Sequence, residues 1–182
     1  MSVKTRLVLD LDQTLVDTKR LEEIKDSTNY DGFFDMESAG LRIHIRPYYS
    51  EFISFAEQYF DEIHIFSAGS EDYVKFIASK LFRRDLYKQT LSRIHCFVSS
   101  DASVTTKKLD IHGLDTFNTF MIDDRKDVCS GNSNVNIENG NFYQIKAYDV
   151  NSENDDNHLL RAIARIKSWA LTFTIERSLS IQ

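Results

Sequence analysis

A short apolar run that ends in two carboxylates restricts the fold of this chain more than any other feature of its sequence. Leu7, Val8 and Leu9 are consecutive apolar residues, and Asp10 and Asp12 follow them at once. A continuous apolar run of this kind is typical of a strand that is buried on both faces, as in a parallel sheet. We therefore predict a buried strand that delivers two acids at its carboxyl end.

Strands and helices alternate along the rest of the sequence. Apolar runs predict further strands at Ile63–Ser67, Ile94–Val98, Phe117–Ile122 and Phe142–Tyr148. Helical spacing predicts helices at Tyr48–Phe60, from an N-cap at Ser70 through Lys80, at Leu81–Thr90 and at Asn157–Ala170. This alternation is typical of βαβ units and predicts an α/β fold with a mainly parallel central sheet between helices.

Three segments lie outside this alternation. The polar stretch Asp17–Tyr30 predicts a loop or a short helix, and Lys107–Gly113 predicts the same. Gly32–Ser38 and Leu41–Arg46 alternate on either side of Ala39-Gly40, which predicts a β-hairpin. The hairpin is therefore expected as a small insertion after the first strand.

Length and charge restrict the class of protein. The chain has 182 residues, with 28 acidic and 22 basic side chains and a net charge of −6. We expect one domain over residues 1–182, with its core at about 5–170. The acidic balance disfavours wrapping of nucleic acid or docking on anionic membranes, although a nucleic-acid substrate held locally stays open.

The sequence also carries expectations about location. It has no apolar stretch of the length that a membrane span needs and no signal-peptide pattern at its start. Its two cysteines, Cys96 and Cys129, are too few for a disulfide framework. We therefore expect an intracellular protein, cytoplasmic or nuclear, without a membrane anchor; the sequence does not predict an oligomeric state.

Polar residues follow three of the predicted strands directly. Asp10 and Asp12 end the first strand, Ser67 ends the second, and Asp123-Asp124 follows Phe117–Ile122. In parallel α/β folds, ligands bind beyond the carboxyl ends of the strands. These side chains are therefore expected to line one site.

The residue types in these clusters fit phosphoryl transfer. One carboxylate of a pair attacks phosphorus, while its neighbour supplies and withdraws a proton. Asp123 and Asp124 offer hard oxygen ligands for Mg²⁺, and Lys107 or Lys108 offers an ammonium group that offsets negative charge. Ser67 offers a hydroxyl, and the amides of Ala68 and Gly69, which precede a helix N-terminus, offer further donors for phosphate oxygens.

Two simpler interpretations of Asp10 and Asp12 compete with this one. The pair could be an acidic strand end that faces solvent, or part of a Ca²⁺-binding loop. An EF-hand loop needs Gly at its sixth position and Glu at its twelfth, where this chain has Leu15 and Leu21. The solvent-exposed strand end therefore remains as the alternative.

The clusters together resemble a known superfamily. LVLDLDQTLVDT, then IFSAGS, then a lysine, then FMIDD resembles the four motifs of the haloacid dehalogenase (HAD) superfamily of phosphotransferases. IRPYYSEFI and TKKLDIHGLDTFNTFMIDD are similar, more narrowly, to the small C-terminal-domain phosphatase family, the NLI-interacting-factor-like catalytic domain of RNA polymerase II tail phosphatases. The resemblance covers about residues 5–169 and implies a Rossmann-like HAD fold without a large cap domain.

The resemblance implies roles for individual residues. Asp10 resembles the nucleophile that becomes an aspartyl phosphate, and Asp12 resembles the general acid and base. Thr14 would steady the turn of this motif. Lys107 matches the motif lysine, and Lys108 is the second candidate.

The ligand sets also follow from the resemblance. The Mg²⁺ ligands would be the carboxylates of Asp10 and Asp123 and the backbone carbonyl of Asp12, with Asp124 at the position where the family has Asp or Asn. The phosphate-binding groups would be Ser67, Ala68 and Lys107. The chain departs from the family pattern at Gln13, where Glu is usual, and at Arg125-Lys126, where Ser-Pro is usual.

The segments between the motifs are too short for a large cap, so we expect an open site. An open site favours a phosphorylated protein or peptide, which predicts a Mg²⁺-dependent protein serine/threonine phosphatase. The alternatives are a nucleotide or polynucleotide 3′-phosphatase and a catalytically silent phosphopeptide-binding module. Arg46, at the entry of a helix, is expected to pair with an acid rather than to contact substrate, and no role is predicted for His112.

Overall fold

The computed structural model describes residues 4–24, 32–99, 105–152 and 156–180, with side chains up to residue 171. The strands in these ranges are β1 (Arg6–Leu9), β2 (Val16–Arg20), β3 (Gly32–Met36), β4 (Leu41–Ile45), β5 (Glu62–Phe66), β6 (Tyr87–Leu91), β7 (Phe97–Val98), β8 (Thr105–Thr106), β9 (Thr119–Asp123) and β10 (Phe142–Gln144). The α-helices are α1 (Tyr49–Tyr59), α2 (Glu71–Leu81) and α3 (His158–Ser180).

The central sheet has five strands in the order β10-β9-β1-β5-β6. All four neighbouring pairs in it are parallel. β1, which is fully apolar after Arg6, lies in the middle with strands on both sides, as its continuous apolar run predicts. The predicted α/β fold with a mainly parallel central sheet is confirmed.

The two faces of this sheet are covered differently. Leu7 and Leu9 point to the face on which the buried residues of all three α-helices pack. Val8 points to the other face, which packs against the 3-10 helices and loops around Leu109 and Val128.

None of the helices in the described part of the chain combines the length and the apolar composition that a membrane span requires.

A second, antiparallel sheet forms the insertion after β1. Its strand order is β2-β4-β3, and the predicted hairpin is its β3–β4 pair. The prediction of a loop or short helix is wrong for Asp17–Arg20, which belong to β2 and pair with β4. That strand is polar and lies at a sheet edge, so its sequence lacks an apolar pattern. Residues 25–30 of the predicted loop lie outside the described residues.

The prediction of a second helical piece at Leu81–Thr90 is also wrong. α2 ends at Leu81, and Tyr87–Leu91 pairs with β5 as the edge strand β6. The predicted strand Ile94–Val98 is instead a short 3-10 helix, Arg93–His95, followed by the two-residue strand β7. Ile94 is 73% exposed, so its apolar character does not mark a buried strand. Ser70 precedes α2 as predicted, but its side chain makes no capping hydrogen bond.

Candidate active site

The sheet brings the predicted polar residues to one edge. β1 lies between β5 and β9, so the residues that follow or end these strands, Asp10, Ser67 and Asp123, come together. They line a cleft of about 600 Å³ that also receives Asp12, Ala68, Lys107 and Asp124. Of the predicted site residues, Thr14 alone is not in the cleft lining.

Lys107 joins two acids at the floor of the cleft. Its Nζ lies 2.6 Å from Asp10 Oδ1 and 2.6 Å from Asp123 Oδ2, and its side chain is 1% exposed. Burial opposes the charge on Lys107, but the two carboxylates outweigh burial and raise its pKa. The ammonium group therefore stays protonated and holds Asp10 in a fixed position.

The backbone of Lys107 is held on both sides. Its N–H donates to the carbonyl of Val128 at 2.7 Å, and its carbonyl accepts from Nδ2 of Asn132 at 2.9 Å. Lys108 points elsewhere: its Nζ lies so close to Gly131 that a Cβ at that position would overlap it. The fold thus brings Lys107, and not Lys108, to the acids.

Three carboxylates at this edge form a group that fits a divalent cation. Asp10, Asp123 and Asp124 each offer one oxygen atom, and these atoms lie within 4.8 Å of one another. Burial, followed by the charge of Asp10, raises the pKa of Asp124 to about 6, and burial raises the pKa of Asp123. A buried excess of negative charge with hard oxygen donors suits Mg²⁺.

Asp12 occupies a different environment from Asp10. Its carboxylate is not one of the three that lie close together at the candidate metal site. It accepts a hydrogen bond from the Tyr73 hydroxyl instead. Burial, and to a smaller extent the charge of Asp10, raises the pKa of Asp12 to about 6. Such a carboxyl group is suited to give and take protons near neutral pH.

The turn that follows Asp12, at residues 13–15, is fixed by buried contacts. Thr14 is fully buried, and its Oγ1 accepts the N–H of Asp124 at 3.1 Å. Gln13 has a φ of 59°, in the left-handed region. Arg46 donates to the Thr14 carbonyl at 2.9 Å and lies 3.0 Å from an oxygen of Asp156. Arg46 therefore pairs with an acid, as predicted, and also anchors the turn at residues 13–15.

The loop after β5 supplies hydrogen-bond donors. Ser67 is 1% exposed, and its Oγ accepts the N–H of Gly69 at 3.0 Å, which leaves the hydroxyl hydrogen free to donate to a ligand. The carbonyl of Ala68 accepts from Nε of Arg93 at 2.8 Å. A Cβ at position 69 would lie 2.7 Å from the Tyr73 ring, so this close approach requires glycine.

Several residues of the cleft were not identified from the sequence. They are Gln13, Met36, Ala39, Leu41, Ser70, Asp72, Tyr73, Arg93, Arg125 and Val128. Tyr73 lies within the predicted helix after Ser70, and the sequence gives no sign that its hydroxyl reaches Asp12. Arg125 follows the Asp123-Asp124 pair directly, which is the one local signal among these residues.

Comparisons with known proteins agree with this geometry. The model of the NLI interacting factor-like phosphatase family matches residues 5–175. The fold is similar to that of a fission yeast RNA polymerase II CTD phosphatase, an Fcp1 variant bound to beryllium fluoride, with a TM-score of 0.56 and 21% identity. That match covers 92% of this chain and 51% of the other.

A second solved structure, described as Fcp1, an essential RNA polymerase II CTD phosphatase, is similar at a TM-score of 0.56 and 22% identity, covering 92% of this chain and 49% of that one. This chain thus spans about half the length of the structures it matches. A search of curated proteins finds no significant match. The family match covers nearly the whole chain, and the chain therefore belongs to the NLI interacting factor-like phosphatase family of the HAD superfamily.

Proposed function

We propose that this protein is a Mg²⁺-dependent phosphatase that hydrolyses phosphomonoesters through an aspartyl phosphate on Asp10. The observation that carries the proposal is the position of Asp10, which Lys107 holds beside Asp123 at the floor of the cleft. Asp12, two residues away, lies in a separate hydrogen-bonding environment. Two neighbouring carboxylates with different surroundings can take the separate roles of nucleophile and proton donor.

The carboxylates of Asp10, Asp123 and Asp124, with the backbone carbonyl of Asp12, are the groups that would hold Mg²⁺. When bound, the ion would offset the repulsion between these acids and the phosphate dianion. The positive charge of Lys107 offsets the same repulsion.

The residues of the chain account for both chemical steps. In the first, a carboxylate oxygen of Asp10 forms a bond to phosphorus as the ester P–O bond breaks, and Asp12 gives its proton to the departing alkoxide. In the second, Asp12 takes a proton from water as the water oxygen attacks the same phosphorus. The Asp10–phosphorus bond then breaks, which releases inorganic phosphate and regenerates the carboxylate.

The loop after β5 is suited to hold the transferring phosphoryl group. The Ser67 hydroxyl and the amides of Ala68 and Gly69 precede the N-terminus of α2, where backbone N–H groups attract anions. The similar fission yeast structure is bound to beryllium fluoride, a tetrahedral mimic of a phosphoryl group. A phosphoryl mimic bound to a protein of similar fold supports the proposal of phosphoryl chemistry.

For the substrate we propose phosphoserine and phosphothreonine in a protein segment. The insertion contributes only a small antiparallel sheet to the described residues, and the cleft beside it admits a group that projects from a large molecule. Both similar structures are phosphatases of a polymerase CTD, which is a protein tail. We further propose that the protein acts inside the cell, in the cytoplasm or nucleus.

A second candidate substrate is a nucleotide or a polynucleotide 3′ end. Arg93 and Arg125 lie at the cleft and offer cations for a second phosphate, although the net charge of −6 disfavours a polyanion. A silent binding module is less well supported, because the nucleophile, the proton donor and the metal ligands are all retained.

A substrate screen tests the proposal. The purified chain is assayed with Mg²⁺ on phosphoserine and phosphothreonine peptides, nucleotides and 3′-phosphorylated oligonucleotides, with parallel samples in EDTA. We expect Mg²⁺-dependent release of phosphate, fastest from the peptides. Preference for the oligonucleotides would replace the proposed substrate class, and equal rates with and without EDTA would remove the metal from the mechanism.

A further inference from the structure

Two hydroxyl groups from separate elements meet at Asp12. The Tyr73 hydroxyl, on α2, donates to Oδ1 of Asp12. Thr18, on β2 of the insertion, places its Oγ1 2.6 Å from the Tyr73 hydroxyl and 3.5 Å from the same Asp12 oxygen. Helix α2, the insertion and Asp12 are therefore joined in one hydrogen-bonded group.

The direction of these hydrogen bonds follows from counting hydrogens. Each hydroxyl carries one hydrogen. Tyr73 gives its hydrogen to Asp12, so the 2.6 Å contact between the two hydroxyl oxygens requires Thr18 to be the donor to Tyr73. Oδ1 of Asp12 is thus an acceptor, and within the described residues Oδ2 has no hydrogen-bond partner.

The Tyr73 ring is held firmly enough to act through this bond. Its Cδ1 atom would lie 2.7 Å from a Cβ at position 69, so the ring packs directly on the loop that contains Ser67. A glycine at position 69 allows this approach. The ring is therefore fixed between the proposed phosphate-binding loop and Asp12.

We propose that Tyr73 is a positioning residue for the proton-transfer steps, because it ties Oδ1 of Asp12 and leaves Oδ2 as the oxygen that gives and takes the proton. Thr18 acts one bond further away by orienting the Tyr73 hydroxyl. The inference rests on the proposed function, in which Asp12 is the general acid and base.

The test is the dependence of rate on the leaving group. A series of substituted phenyl phosphates keeps the size of the substrate nearly constant, while the leaving group changes from one that departs unaided to one that needs a proton. For Tyr73→Phe we expect kcat/KM to fall about 10-fold or more on phenyl phosphate and less than about 3-fold on 4-nitrophenyl phosphate, because general-acid catalysis is worth about 10² to 10⁴-fold. Thr18→Val is expected to change the series in the same direction by a smaller factor.

Tyr59→Phe is the matched control, since it also removes one tyrosine hydroxyl, but from a residue on α1 that does not line the cleft. It should leave the whole series unchanged. An equal fall on every phosphate in Tyr73→Phe would contradict the positioning role, because a general loss of packing does not sense the leaving group.

A crystal structure of Tyr73→Phe provides a readout that does not depend on turnover. We expect the Asp12 carboxylate to rotate away from its present position. An unchanged carboxylate with an unpartnered Oδ1 would overturn the inference even if the wild-type chain is an active phosphatase. Absence of Mg²⁺-dependent turnover in the wild-type chain would instead contradict the proposed function.

Discussion

The two ends of the central sheet both carry clusters of charged side chains, and the clusters differ in burial and in balance. At the amino end, Glu62 lies 2.9 Å from Lys4 and 3.1 Å from Arg6, whose side chains are 58% and 25% exposed. At the carboxyl end, Lys107 lies between Asp10 and Asp123, and all three side chains are less than 10% exposed. Cations outnumber acids at the first end, and acids outnumber cations at the second.

This difference separates a surface ion-pair cluster from a candidate active site. Exposed ion pairs are screened by water and contribute about 0–1 kcal/mol. A buried excess of carboxylates costs free energy, and a cluster of this kind in a cleft is typical of a functional site. A count of charged residues in the sequence does not distinguish the two ends of the sheet. They are distinguished by how many acids come together in the fold and by how deeply those acids are buried.

The largest expected effect is that of Asp10→Asn. Without the nucleophile we expect kcat to fall by roughly 10⁴-fold or more, as in other enzymes that lose the attacking group. The measurement is Mg²⁺-dependent release of phosphate from a phosphopeptide, with circular dichroism to verify folding. Glu62→Gln makes the same kind of change at the opposite end and should retain full activity; equal losses in both variants would refute the distinction.

The next largest effect separates two adjacent lysines. Lys107→Met removes the ammonium group between Asp10 and Asp123, and we expect kcat to fall about 10² to 10³-fold, the typical cost of losing one electrostatic contact in an active site. Lys108→Met should change kcat very little, because that side chain points to Gly131. Loss of activity in the second variant alone would mean that the motif lysine is assigned one position too early.

A third prediction compares a buried and an exposed arginine by their effect on stability. Arg46→Met leaves the Thr14 carbonyl without its donor and leaves Asp156 with only the N–H of His158, which should cost about 3–5 kcal/mol of unfolding free energy. Arg83→Met breaks an ion pair with Glu57 at a side chain that is 70% exposed and should cost less than about 1 kcal/mol. Urea denaturation measures both, and similar costs would show that the Arg46 contacts do not hold the turn at residues 13–15.

The smallest effect concerns the pH dependence of stability at the amino end. The hydrogen bond from Lys4, with a further one from Arg6, lowers the pKa of Glu62 from 4.5 to about 2. Between these values the unfolded chain binds more protons than the folded one, so the stability from Glu62 is complete above pH 4.5 and is lost as the pH falls towards 2. Urea denaturation over this window should show a shallower decline for Glu62→Gln, and an equal decline in both proteins would contradict the shifted pKa.

The carboxyl-end site was largely predictable because its residues follow apolar strands directly. Asp10, Ser67 and Asp123 each come at the end of a buried run, and parallel pairing brings such positions together. β2 and β6 were missed because edge strands carry polar side chains, and their pairing depends on neighbours distant in sequence. The contact between Tyr73 and Asp12 was also missed, because helical spacing predicts which face of α2 carries the ring but not which distant residue its hydroxyl contacts.

Lys107 marks the limit of prediction from the residues themselves. The sequence alone left Lys107 and Lys108 as equivalent candidates, and the resemblance to the phosphatase family favoured the first. The structure gives the physical reason why Lys107, and not Lys108, reaches the acids. Asn132 and Val128 hold the backbone of Lys107, and the side chain of Lys108 packs against Gly131. Those contacts come from a loop distant in sequence, which no local pattern predicts.

Chemical trapping of the covalent intermediate tests the aspartyl-phosphate proposal most directly. The enzyme is mixed with a phosphopeptide and Mg²⁺, quenched during turnover and treated with borohydride, which reduces an aspartyl phosphate to homoserine. Peptide mass spectrometry should find homoserine at position 10 only, and only when substrate and Mg²⁺ are both present. Homoserine at Asp12 or Asp123, or turnover without any modified aspartate, would contradict the proposed role of Asp10.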